Sequence, residues 1–165
     1  MSPWPPEHPA YLDVLHRLKA RGVSFALTGS FALRLSMDAL AGEPVPDCDL
    51  FLDPEPDNLQ RWARILVEDG WALAVWNVPV SLPLDLESLR GRYYVRARKD
   101  TAVMDGTYEH DTLSPREVVA GARLLGGLPV MDLETLLALK RERGTPRDLE
   151  QVRQVEHWRR SHHGR

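Results

Sequence analysis

Val23-Ser24-Phe25-Ala26-Leu27-Thr28-Gly29-Ser30-Phe31-Ala32-Leu33-Arg34-Leu35, followed after a proline-bearing interval by Asp47-Cys48-Asp49-Leu50-Phe51-Leu52, is the stretch whose reading decides the fold. Residues 23–27 form a short apolar run that stops at Gly29. Phe31, Ala32, Leu35 and Leu40 then recur at helical spacing, so the order is strand, tight turn, helix. The first backbone N–H groups of such a helix lack intrahelical partners and its dipole is positive there, which suits a phosphate, while Gly29 lets a ligand approach the backbone closely. Gly42-Glu43-Pro44-Val45-Pro46 cannot continue the helix. Residues 47–52 alternate with period two, so Cys48, Leu50 and Leu52 share one face and Asp47 and Asp49 stand together on the other. Two adjacent like charges repel unless a cation lies between them, and a divalent metal is the economical explanation. Plainer readings stand beside this one: Thr28 or Ser30 as a helix N-cap, and Asp47 as a turn residue at strand entry.

Outward from that stretch, Tyr11, Leu12, Val14, Leu15 and Leu18 fall on one face of a helix over 9–21, stopped by Gly22. A second helix over 54–69 carries Leu59, Trp62, Ile65 and Leu66, and Gly70 ends it. Residues 71–76 read as a strand and 77–91, with prolines at 79 and 83, as an irregular loop. Residues 92–99 alternate, with Arg92, Tyr94, Arg96 and Arg98 on one face. After a turn at Asp100, residues 101–108 return as the second arm of a hairpin carrying Asp105. An acid inside an apolar strand needs a partner or a metal.

Ser114-Pro115-x-Glu117 is a capping box that opens a helix over 114–125, ended by Gly126 and Gly127. Residues 128–131 are extended, Asp132 caps a helix over 133–143, and a last helix over 147–160 ends in a basic tail with His162 and His163. The expectation is an α/β or α+β domain: a mixed central β-sheet flanked by helices, with C-terminal helices. It occupies residues 1–165 as one unit, with a core of about 9–110 and a C-terminal helical part of about 114–162.

A chain of 165 residues with 43% hydrophobic content is long enough to bury one sizeable core. The start has neither the charge nor the apolar run of a signal peptide and no segment is apolar enough to span a membrane, so the expected location is cytoplasmic. The single cysteine, Cys48, excludes an intrachain disulfide and a multi-cysteine metal site, and packs as a small apolar residue. A net charge of −3 gives no global field for nucleic acid, although local patches remain open.

Strand, Gly29-Ser30, helix, then a strand with Asp47-x-Asp49, in that order and spacing, resembles the nucleotidyltransferase superfamily with its polymerase-beta-like fold. The region from Val130-x-Asp132-Leu133-Glu134 to Lys140, followed by Arg147-Asp148-Leu149, resembles the toxin-antitoxin and abortive-infection branch, which stands with the aminoglycoside nucleotidyltransferases as the nearest in pattern. The resemblance implies a third carboxylate on a later strand, the position matched by Asp105. It departs at Glu43-Pro44-Val45-Pro46, where many relatives carry an arginine or a threonine-rich approach to the acid pair.

The resemblance implies that Asp47, Asp49 and Asp105 hold Mg²⁺ or Mn²⁺ and direct in-line transfer of a nucleoside monophosphate from a nucleoside triphosphate to an acceptor hydroxyl. Gly29 and Ser30 would hold the outer phosphates, with Arg96, Arg98 and Lys140 chosen on chemical grounds to neutralise the remaining charge. For Lys140 the plainer reading is a solvated cation at a helix end. Against this enzyme stand two alternatives: a degenerate binding or regulatory protein, such as a toxin-antitoxin component acting through a protein partner, and an RNA-binding module built on Arg92, Tyr94, Arg96 and Arg98.

Overall fold

The computed structural model describes residues 9–36 and 47–162, so the readings on Leu40, on Glu43-Pro44-Val45-Pro46 and on His163 lie outside the described part. Helix α1 (Pro9–Ala20) buries Tyr11, Val14, Leu15 and Leu18 at helical spacing. Strand β1 (Phe25–Thr28) is buried throughout and passes straight into α2 (Gly29–Ser36). Strand β2 (Asp47–Leu52) hides Cys48, Leu50, Phe51 and Leu52 and leaves Asp47 and Asp49 half-buried. Helix α3 (Pro56–Glu68) starts with proline in its first turn, and the Glu55 side chain accepts from the Asn58 N–H as its cap. Then come β3 (Ala72–Val75), β4 (Val78–Pro79), β5 (Tyr94–Lys99), β6 (Ala102–Thr107), α4 (Pro115–Ala120), β7 (Arg123–Leu125), β8 (Leu128–Val130), α5 (Leu133–Arg143) and α6 (Pro146–His162).

The eight strands form one mixed sheet in the order β4-β3-β5-β6-β2-β1-β8-β7. β2 runs antiparallel to β1 and parallel to β6, and β8 runs parallel to β1. One face of the central strands is apolar, carrying Leu50, Leu52, Met104, Val95 and Ala97, and packs under α3. Gly106 is required there: a Cβ would come 2.7 Å from the Trp62 ring and 2.8 Å from Leu52, so helix and strand approach closely only because that position is bare. Cys48 lies in this layer, fully buried, and burial pushes its thiol pKa up.

The segment 114–125 departs from expectation. Ser114 is the N-cap, its Oγ accepting from the Glu117 N–H at 3.3 Å, but the helix ends at Gly121 and the chain turns into β7. Gly126 and Gly127, both at positive φ, are the two-residue turn of the β7–β8 hairpin and not a helix stop. The part beyond residue 114 therefore extends the sheet as well as supplying helices. The strand expected from Arg92 begins at Tyr94, after Tyr93 at φ 73°, and the irregular stretch after Trp76 contains the short edge strand β4. Among the described residues no helix is long and apolar enough to cross a membrane.

Candidate functional site

Four adjacent strands set one polar row across one face of the sheet. Thr28 on β1 is opposite Asp49 on β2, Asp49 is opposite Asp105 on β6, and Asp105 is opposite Arg96 on β5. Directly opposed residues share a face, so the two carboxylates are neighbours by register. One step along, Asp47 is opposite Val103, which is in turn opposite Arg98. Asp47 thus shares the face of the acid pair, while Arg98 is exposed two strands away from it.

The two neighbouring acids are treated differently. Arg96 forks onto Asp105, Nε to Oδ1 at 2.8 Å and Nη2 to Oδ2 at 2.9 Å, a charge-assisted bidentate pair. Asp49 is pushed up to about 6 by burial first and then by Asp105 and Asp47, with Arg143 and Lys140 pulling the other way. Gly29 brings the backbone against it. At φ 71° it sits where L side chains are disfavoured, and a Cβ there would lie 2.7 Å from Asp49 Oδ2.

Helices α5 and α6 close the other side. Ser30 Oγ accepts from Lys140 Nζ at 3.5 Å and from Gln151 Nε2 at 3.3 Å. Lys140 is only 3% exposed and lies 3.5 Å from Asp148; burial pulls its pKa down, while Asp148 opposes the shift. It is therefore not the solvated helix-end cation of the plainer reading. Asp148 is in turn forked by Arg143 at 2.8 and 2.7 Å and bonded by Thr145 Oγ1 at 2.6 Å.

Between the sheet row and α5 lies a pocket of about 510 Å³, with Gly29, Asp49 and Asp105 on one wall and Lys140 and Arg143 on the other. A larger hollow, about 660 Å³, is lined by α6 alone, where Glu150 is already paired with Arg153. Of the residues singled out in the sequence, Thr28, Gly29, Asp49, Tyr94, Asp105 and Lys140 line the pocket. Ser30 sits against Lys140, Arg96 acts on Asp105, and Asp47 and Arg98 lie outside the lining.

His110 also lines the pocket. Its Nδ1 accepts from the backbone N–H groups of Thr112 at 3.2 Å and Leu113 at 3.1 Å, which places the ring proton on Nε2, and its ring meets Phe51 edge-on at 5.5 Å. Arg143 was not singled out by sequence reading. Its only signal was a place in the last turn of the helix that holds Lys140.

Among the described residues no group of three or more His, Cys, Asp and Glu side chains is arranged to hold a metal ion. What is present is a carboxylate pair. Mg²⁺ commonly takes one or two carboxylates and completes its sphere with water and phosphate oxygens, so the donor set fits it. Burial, and after it the charges of Asp105 and Asp47, raise the pKa of Asp49, and no hydrogen-bond donor among the described residues occupies its carboxylate.

No protein-family model and no curated protein matches the chain. A solved structure similar to it is that of a candidate nucleotidyltransferase from Thermotoga maritima, with a TM-score of 0.58 and 17% identity over 96% of each chain. At that identity the likeness is one of fold: the chain has a nucleotidyltransferase-like architecture, a mixed sheet flanked by helices.

Proposed function

We propose that the chain is a metal-dependent nucleotidyltransferase that moves a nucleoside monophosphate from a nucleoside triphosphate to an acceptor hydroxyl. The observation that carries this reading is the Asp49–Asp105 pair, in register beside the Gly29 turn and facing Lys140 and Arg143 across the pocket. In this reading Asp49 and Asp105 hold the ion, with Asp47 on the same face two residues before Asp49. When bound, Mg²⁺ would acidify the acceptor hydroxyl and offset charge developing on the phosphates.

The chain's own residues supply the rest. Arg96 fixes the Asp105 carboxylate through its fork, so that lone pairs outside the fork point in a set direction. Lys140, Arg143, Ser30 and the N–H groups at the start of α2 receive the outer phosphates, which leave as pyrophosphate when the acceptor oxygen, its proton passing to a carboxylate of the pocket, bonds to the α-phosphorus.

A second reading has its own observation. Arg96 already neutralises Asp105, which suits a degenerate site that binds a nucleotide or a protein partner, as a toxin-antitoxin-like regulator would, and transfers nothing. Calorimetry with the four nucleoside triphosphates in Mg²⁺ or Mn²⁺, beside a pyrophosphate-release assay, separates the two. Turnover that Asp49→Asn abolishes in a folded protein supports transfer. Binding without turnover supports the regulator, and the absence of both sinks the enzyme.

A further inference from the structure

The polar row does not stop at Arg96. The register continues it onto β3, where Ala74 is opposite Arg96 and Ala72 is opposite Arg98, and onto β4, where Pro79 is opposite Ala74. With strands about 4.8 Å apart, Ala74 lies roughly 14 Å from Asp49 along this line. The floor is low, because Ala72 and Ala74 carry single methyl groups. Around it stand aromatic rings and guanidinium groups in alternation. Arg92 lies over the Trp76 ring at 4.4 Å and Arg96 over the Tyr94 ring at 5.8 Å. Arg98 is exposed, with no ion-pair partner among the described residues. Tyr94 lines the pocket of the acid pair, so shelf and pocket are continuous.

Trp76 is the unusual member. It is 53% exposed, and with Asn77 it forms a two-residue hairpin turn in which both residues have positive φ, 49° and 67°. Such turns favour Asn and Gly, and a bulky residue there is an outlier. A large indole is thus held in solvent in a backbone conformation that disfavours it, directly under an arginine.

We propose that this β3–β5 shelf is the platform for the acceptor, and that the acceptor is the hydroxyl-bearing end of a single-stranded nucleic acid. The inference rests on the transferase reading above and names its substrate class. Unpaired bases stack on exposed aromatic faces and arginines track the phosphates, which is the composition found here. The terminal nucleotide lies at Tyr94 beside Asp105, and the preceding one lies over Ala74 toward Trp76. The net charge of −3 makes the attraction local and therefore strongly dependent on salt.

The test is fluorescence anisotropy of the full chain with labelled single-stranded RNA, single-stranded DNA and a duplex, at low and rising salt, beside calorimetry with nucleoside triphosphates. Single strands should bind better than the duplex. Trp76→Asn should weaken that binding roughly fivefold to a hundredfold, the loss of one stacked base, and should melt no lower than the wild type, since Asn suits the turn. Arg98→Ala should flatten the dependence of log affinity on log salt by about 0.7, one phosphate contact on a single strand. No binding at low salt, equal binding of the duplex, or full affinity in both variants overturns the platform. Triphosphate binding without oligonucleotide binding defeats the platform and leaves the transferase reading. Oligonucleotide binding that Trp76→Asn removes, without any triphosphate binding, defeats the transferase reading and leaves the platform.

Discussion

Asp49 and Asp148 flank the same lysine and titrate in opposite directions. Asp148 is 1% exposed, yet Arg143, Thr145 and Lys140 hold its carboxyl well below the usual carboxylate range, overcoming the effect of burial. Asp49 is half-buried, no hydrogen-bond donor among the described residues reaches it, and burial, followed by two further carboxylates, pushes it up to about 6. Burial acts on both acids. What differs is whether donors are supplied. An acid that fastens two helices is saturated with them, whereas Asp49 keeps its lone pairs unspent beside a pocket, as a ligand-binding carboxylate would.

The comparison is tested hardest at Asp148. Asp148→Ala removes the counter-charge of a lysine that is 3% exposed, and should cost about 3 to 5 kcal/mol in denaturant unfolding. The folded pKa of Asp148 is depressed, so its contribution is present above the unfolded value and lost as pH falls below about 3.9 through the folded one. The gap between wild type and variant should close in acid. A loss under about 1 kcal/mol at neutral pH would remove the contrast drawn here.

Asp49 carries the opposite sign. With its folded pKa raised from 3.8 to about 6, the folded state holds the proton more tightly than the unfolded one. The cost to the metal-free protein is absent at low pH and grows to about 3 kcal/mol as pH rises through 6. Asp49→Asn should therefore stabilise the metal-free chain by up to that amount at pH 8 and leave it unchanged near pH 3.5, read from melts across pH. Saturating Mg²⁺ should add about 2.7 kcal/mol to the wild type at a hundredfold excess over Kd, and little to the variant. A destabilised variant at pH 8 would show that Asp49 is structural.

Smaller effects sharpen the same contrast. Gly29→Ala must adopt φ 71° and crowd Asp49 Oδ2, so a loss of about 1 to 3 kcal/mol is expected together with lost triphosphate binding. Unchanged stability would mean that the turn can move away from the acid. Ser30→Ala loses only long contacts, 3.5 and 3.3 Å, and should cost about 1 kcal/mol or less. A tenfold drop in triphosphate affinity at nearly unchanged stability would assign the hydroxyl to the ligand.

The acid strand was legible because its alternation is local: Asp47 and Asp49 stand opposite Cys48, Leu50 and Leu52 wherever the strand pairs. The Arg96–Asp105 pair was nearly legible. A two-residue turn at Asp100-Thr101 makes Lys99 face Ala102 and therefore Arg96 face Asp105, whereas a turn at Asp100 alone shifts that pairing by one residue. Neighbourhood of Asp49 and Asp105 was not readable from local pattern, since it needs the register of a parallel pairing between distant segments. β7 escaped because Arg123-Leu124-Leu125 is a short edge segment with no alternation. The Gly126-Gly127 pair between two brief apolar runs was the signal for a hairpin. Arg143 and Asp148 lie five residues apart on either side of the Gly144 turn, and Thr145-x-x-Asp148 caps the next helix, a local signal that could have been read; the approach of Lys140 to Ser30, 110 residues away, could not.

Tyr11 stands on α1, and its hydroxyl accepts from the Val103 N–H at 2.9 Å while donating to the Val103 carbonyl at 3.0 Å. One oxygen thus does for β6 what the peptide groups of a neighbouring strand would do, and burial pushes that phenol up to about 12, so it keeps its proton at any physiological pH. Val103 is two residues before Asp105. The strand bearing the second acid is consequently moored at its entry to the first helix by a single side chain, which occupies both peptide groups of Val103.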